Sequence, residues 1–100
     1  MLKVFKLIIA ILPKGKVKRL MPIIKDAGIF GATKLSGKGM CAPEGRRLLK
    51  LRIGSSRDIL LILTSEANKD KLIKLLEEHG SLKDPGEGIA FVMDISEVVG

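Results

Sequence analysis

The sequence has no tryptophan, no tyrosine and only three phenylalanines in 100 residues. With 46% hydrophobic residues but 3% aromatics, any core must be built from Leu, Ile and Val. One cysteine, Cys41, rules out an internal disulfide and fits a reducing compartment. That cysteine and the single histidine, His79, cannot supply the clustered ligands of a structural zinc site. No apolar run approaches the ~20 residues needed to cross a bilayer. The N-terminal stretch to Leu12 has a faintly signal-like opening, but its apolar run is short and no small-x-small cleavage site follows. A cytoplasmic protein without membrane insertion is expected, folded as one domain over residues 1–100.

Charge is abundant and unevenly spread. Residues 1–57 hold fourteen Lys/Arg against Asp26 and Glu44, whereas residues 58–100 hold four Lys against nine Asp/Glu. The net charge is +7. The basic half invites an anionic partner, whether nucleotide, acidic protein or nucleic acid.

Hydrophobic patterning predicts six elements. Residues 4–12 read as a strand ended by Pro13-Lys14-Gly15. Val17, Leu20, Met21, Ile24 and Ala27 have helical spacing up to Gly28, with Pro22 expected to kink or shorten that helix. Residues 31–36 read as a short, half-polar strand. Residues 37–57 then read as a long loop, in which Leu48, Leu49 and Leu51 could form one helical turn. Residues 58–64 are a strand apolar on both faces. Ser65 is placed to cap a helix with Leu72, Ile73, Leu75 and Leu76 on one stripe, an Asp70–Lys74 pair, and Gly80 as its stop. A turn over residues 84–88 leads to a last strand at 89–95. The order βαββαβ gives an α+β, ferredoxin-like sandwich with strands one and three central and a long loop between strands two and three. Two helices cover only one face of four strands. The other, aliphatic face is expected to be covered in an oligomer.

An enzyme requires a constellation of reactive groups, and none assembles. His79 sits near a helix C-terminus, where a cation suits the dipole. Cys41 lacks a partner histidine other than the distant His79, and an inert solvent-facing thiol is expected in its electropositive loop. The acidic pairs Glu77-Glu78 and Asp84/Glu87 have no apolar walls to tune a general acid. An acylphosphatase-like site would want an arginine-bearing anion cradle after strand one, where this chain has Leu12-Pro13-Lys14-Gly15-Lys16. RNA recognition on such a sheet stacks bases on aromatics of the central strands, and here only Phe5 is available. Specific nucleic-acid binding is therefore not expected. The basic loop is the remaining feature: Lys38, Arg46, Arg47, Lys50, Arg52 and Arg57 are opposed only by Glu44, and the flanking glycines let backbone amides approach an anion.

Three stretches resemble the nitrogen-regulatory P-II family, in particular its compact P-II-like members. Residues 27–33 (Ala-Gly-Ile-Phe-Gly-Ala-Thr) are similar to that family's approach to strand two. Gly37-Lys38-Gly39, with the long loop closing at Ile53-Gly54-Ser55-Ser56-Arg57-Asp58, is similar to its T-loop. Residues 84–92 (Asp-Pro-Gly-Glu-Gly-Ile-Ala-Phe-Val) are similar to its Gly-Asp-Gly turn into strand four. The resemblance implies a homotrimeric signal-transduction protein with no required cofactor. It would bind an adenine nucleotide between subunits and reshape its T-loop to regulate a protein target. Thr33 would lie near the adenine, and Gly37, Lys38, Gly39, Gly86, Glu87 and Gly88 would face the ligand. Arg46, Arg47, Lys50 and Arg52 would form the effector loop. The sequence departs from the family in three places. Ile89 stands where a phosphate-contacting lysine is expected, two arginines beyond strand four have no counterpart, and the tyrosine modified in many T-loops is absent. Triphosphate binding and uridylylation in the usual manner are thereby put in doubt, and a smaller adenosine derivative is an alternative. A loop-mediated interaction module without a small ligand is the other reading.

Overall fold

The structure, a computed structural model, describes residues 4–39, 55–80, 82–83 and 87–100. The elements run β1 (Phe5–Pro13), α1 (Lys16–Ile24), β2 (Ile29–Gly39), β3 (Ser55–Ser65), α2 (Glu66–His79) and β4 (Ile89–Asp94). The four strands form one antiparallel sheet in the order β2-β3-β1-β4. The two near-continuous apolar runs are therefore its central strands. This is the expected ferredoxin-like α+β arrangement.

Side chains alternate across the sheet. Ile8, Ala10 and Leu12 of β1 and Leu60 and Ile62 of β3 point to the helix side. There they are buried with Val17, Leu20 and Ile24 of α1 and Leu72 and Leu76 of α2. The core is aliphatic throughout, as the lack of aromatics requires. The opposite face is apolar too. In register across β2, β3, β1 and β4 lie the rows Thr33–Leu61–Ile9–Phe91 and Leu35–Ile59–Ile11–Ile89. Leu35, Phe91 and Met93 there are about half exposed, at 48%, 44% and 51%.

Several boundaries differ from the sequence reading. Strand β2 runs three residues further than expected, through Gly37, Lys38 and Gly39, and β3 begins at Ser55 rather than Asp58. Gly37–Arg57, Lys38–Ser56 and Gly39–Ser55 pair across the two strands. Ladder hydrogen bonds there override weak local strand preference. Residues 37–39 and 55–57 are thus strand, not loop. The proposed turn around Leu48, Leu49 and Leu51 lies outside the described residues.

Helix α1 stops at Ile24, two residues after the exposed Pro22. Ala27 remains buried just beyond the helix, with its N–H donating to the Ile24 carbonyl at 2.9 Å. Gly28 then takes φ +86°, and a Cβ there would meet the Asn68 side chain at 2.2 Å. The Thr64 hydroxyl donates to the Gly28 carbonyl at 2.9 Å, tying this turn to β3.

Ser65 occupies the N-cap position of α2, but its hydroxyl accepts from the Asn68 amide (3.2 Å) instead of capping the helix backbone. Asp70 pairs with Lys69 at 3.6 Å rather than with Lys74, and Lys69 also lies 3.4 Å from Glu66. His79 lies exposed in the last turn, 4.0 Å from the Glu78 carboxylate.

Lys6 clamps one end of the sheet. Its ammonium contacts Asp94 of β4 and sits 3.1 Å from Glu66 at the start of α2. The hydrogen bonds it donates to Asp94 and then to Glu66 raise the Lys6 pKa. The bond from Lys6 in turn lowers both Asp94 and Glu66.

Candidate functional site

At the other end of β1 the sheet opens onto a cavity of about 300 Å³, lined by Lys14, Ser36, Gly37, Lys38, Ser56, Arg57 and Asp58. Three separate stretches converge there: the turn after β1, the last part of β2 and the first part of β3. Antiparallel pairing explains how. Ser36 lies opposite Asp58, and Asp58 is also opposite Leu12, so all three side chains face the helix side. Gly37 and Pro13 flank Arg57 on the other face.

Asp58 is the inward-facing polar residue at the start of β3, followed at alternate positions by Leu60, Ile62 and Thr64. It is 2% exposed, and its Oδ2 accepts the Gly15 backbone N–H at 2.8 Å. Gly15 has φ +92°, a left-handed conformation that favours glycine, and it is the N-cap of α1. The buried carboxylate thus satisfies one helix-start donor and holds the Pro13-Lys14-Gly15 turn against the cavity.

Arg57 is 8% exposed, and its Nη1 donates to the Glu87 carbonyl at 3.1 Å. This bond ties the start of β3 to the turn that leads into β4. Next to Glu87, Gly88 packs so closely that a Cβ would lie 2.6 Å from the Ile11 carbonyl oxygen.

The expected site residues divide accordingly. Gly37 and Lys38 line the cavity, and Gly39 continues the same strand beyond them. Glu87 and Gly88 join this end of the sheet through Arg57 and Ile11. Thr33 does not reach it: it pairs with Leu61 on the open apolar face, four residues or roughly 13 Å along β2 from Gly37. Gly86 and the loop residues Arg46, Arg47, Lys50 and Arg52 lie outside the described residues, as does Cys41. Lys14, Ser56 and Asp58 were not picked out by the sequence. A usable signal existed for Asp58, because an inward carboxylate at the head of an apolar strand needs a buried partner.

Lys14 and Lys38 bring two cations to a lining with one carboxylate, and that carboxylate is committed to a backbone N–H. With two serine hydroxyls added, the chemistry suits an oxyanion. Its volume sits at the bottom of the ~300–1,000 Å³ range of sites that bury drug-sized ligands. Among the described residues no group of His, Cys, Asp and Glu is arranged to hold a metal ion. No helix among them is long and apolar enough to cross a membrane.

Solved structures that share this fold include the following two. A functionally unknown protein from Pediococcus pentosaceus superposes with a TM-score of 0.72 at 18% identity, over 99% of both chains. The B. subtilis GlnK–ATP complex gives a TM-score of 0.70 at 18% identity, over 96% of this chain and 85% of that one. No curated protein matches the chain. Residues 5–100 match the family described as nitrogen regulatory protein P-II. Since that match runs from the start of β1 through β4, the chain belongs to the P-II family of nitrogen regulatory proteins.

Proposed function

We propose that this chain is a P-II-type signal-transduction protein that binds a small anionic effector, an adenine nucleotide, and regulates a protein target through its basic loop. The observation that carries the reading is the cationic cavity at the base of the β2–β3 connection, lined by Lys14, Lys38 and Arg57. An anion held there touches the strands from which residues 40–54 depart, so binding can bias how that segment meets a partner.

The apolar open face supports a homotrimer in which that face is covered. A sheet with Leu35, Phe91 and Met93 half exposed on one side is the kind of surface that monomers avoid.

Ile89 favours a second reading. It pairs with Ile11 on the open apolar face, where the family resemblance leads one to expect a lysine on phosphate. A loop-mediated adaptor with no small ligand would have no need of that lysine. Limited trypsin digestion separates the two, because Arg46, Arg47, Lys50 and Arg52 all offer cleavage sites. A sensor changes its cleavage rate in this segment when AMP, ADP, ATP or S-adenosylmethionine is added, with or without magnesium. Identical digestion with every ligand overturns the sensor reading in favour of the adaptor.

A further inference from the structure

We infer that Lys14, held in place by Asp58, is the phosphate-contacting cation of this chain and, with Lys38, binds the polyphosphate end of its ligand. The inference rests on the reading of the cavity as the effector site, and it names how that site recognises its ligand without a lysine at position 89.

Lys14 and Lys38 come from different stretches, the turn after β1 and the end of β2, yet line one cavity. Neither makes an ion pair among the described residues. By contrast, Lys6 at the far end of the same strand has two carboxylate partners. Arg57 is held against the Glu87 carbonyl and serves as part of the wall. The two lysines are therefore the groups placed to meet a ligand.

Their position is built rather than incidental. The Lys14 turn is bracketed by Pro13, whose φ is fixed, and by Gly15 at φ +92°. The buried Asp58 carboxylate anchors the Gly15 N–H at 2.8 Å. Asp58 is thus a positioning residue that acts through the turn, and its own negative charge works against an anion. A carboxylate kept in an anion-binding wall needs a compensating purpose, and the tether supplies it.

Two separated cations in one cavity match a ligand with more than one phosphate charge. The probe is sodium tripolyphosphate, titrated calorimetrically into the parent and its variants at low salt. Lys14→Gln and Lys38→Gln are each expected to weaken binding about tenfold, the loss of one charge-assisted contact. Lys14→Arg restores most of the lost affinity. Lys18→Gln removes another exposed lysine, on α1 and outside this lining, and binds as the parent does. Asp58→Asn keeps an acceptor for the Gly15 N–H and removes a charge, so it binds at least as tightly as the parent. Asp58→Ala is equally uncharged but lacks the tether, and binds more weakly than Asp58→Asn. Equal losses in Lys14→Gln and Lys18→Gln would reduce Lys14 to part of a general positive field and overturn the inference. So would a parent that does not bind tripolyphosphate. If tripolyphosphate binds through Lys14 while every adenine nucleotide is silent, this inference stands and the adenine reading falls.

Discussion

The two ends of β1 treat the same kind of residue in opposite ways. At the start, Lys6 is mostly covered (15% exposed) and neutralised by Asp94 and Glu66, so its charge is consumed in joining β1, β4 and α2. At the finish, Lys14 is exposed and unpaired among the described residues, and the one nearby carboxylate is spent on a backbone N–H. The lesson concerns where charge is satisfied. A cation closed by the fold's own carboxylates stabilises the fold, whereas a pair of cations left facing a cavity is available to a ligand. Under the proposed function, the two ends of the strand are a structural pole and a binding pole.

The comparison breaks most completely if the sheet's open face is disrupted. Leu61→Asp puts a carboxylate in the centre of that face, next to Ile9 and Thr33. With the proposed trimer built on that face, the expected result is a fall in native mass by sedimentation, while far-UV circular dichroism stays that of the parent. An unchanged mass would mean the open face is not the subunit interface.

Next in size is the packing that joins the binding pole to β4. Gly88→Ala brings a Cβ within 2.6 Å of the Ile11 carbonyl oxygen, so the backbone must shift. A destabilisation of about 1–3 kcal/mol is expected in urea denaturation, the range for overpacking against a fixed neighbour. Parent-like stability would show that the turn moves freely and that Arg57–Glu87 does not hold it. A smaller effect is expected from Asp58→Ala, which loses one backbone hydrogen bond. It should cost on the order of 1 kcal/mol more than Asp58→Asn.

The smallest effect sharpens the structural pole. Lys6 lowers the pKa of Asp94 and Glu66 by hydrogen bonding to them. Carboxylates with depressed folded-state values stabilise the protein above their unfolded value of about 4, and lose that contribution as pH falls through the folded values. In Lys6→Met, stability should therefore fall less steeply below about pH 4 than in the parent. The raised Lys6 value works in the opposite direction, its contribution being present below the unfolded value of about 10.4 and lost as pH rises through the folded one. Parallel stability curves across the acid range would mean that the clamp contributes nothing.

Much of the fold was legible because its central strands are its most apolar segments. Residues 4–12 and 58–64 declare themselves by composition, and Leu72 and Leu76 by spacing. The ends of β2 and β3 were not legible. Gly37, Lys38, Gly39, Ser55 and Ser56 have no strand preference of their own, and they are strand because they pair with each other. The helix ends moved for local reasons: Pro22 shortens α1, and Gly28 terminates the following turn rather than the helix. The resemblance pointed to Gly37 and Lys38, which line the cavity, and to Glu87 and Gly88, which pack near the same end of the sheet. Lys14 and Asp58 were not legible, since 44 positions separate them in the chain and only the β1–β3 register brings their stretches together. Thr33 was singled out through the resemblance alone, and the pleat turns it to the face away from the cavity lining.

The most direct test of the account is calorimetric titration of the purified parent with AMP, ADP and ATP, with and without magnesium, at two salt concentrations. The account predicts binding of at least one nucleotide at about one per chain, with an affinity that falls as salt rises. Titrations without heat for all three nucleotides, under conditions in which the protein is folded and oligomeric, would contradict it.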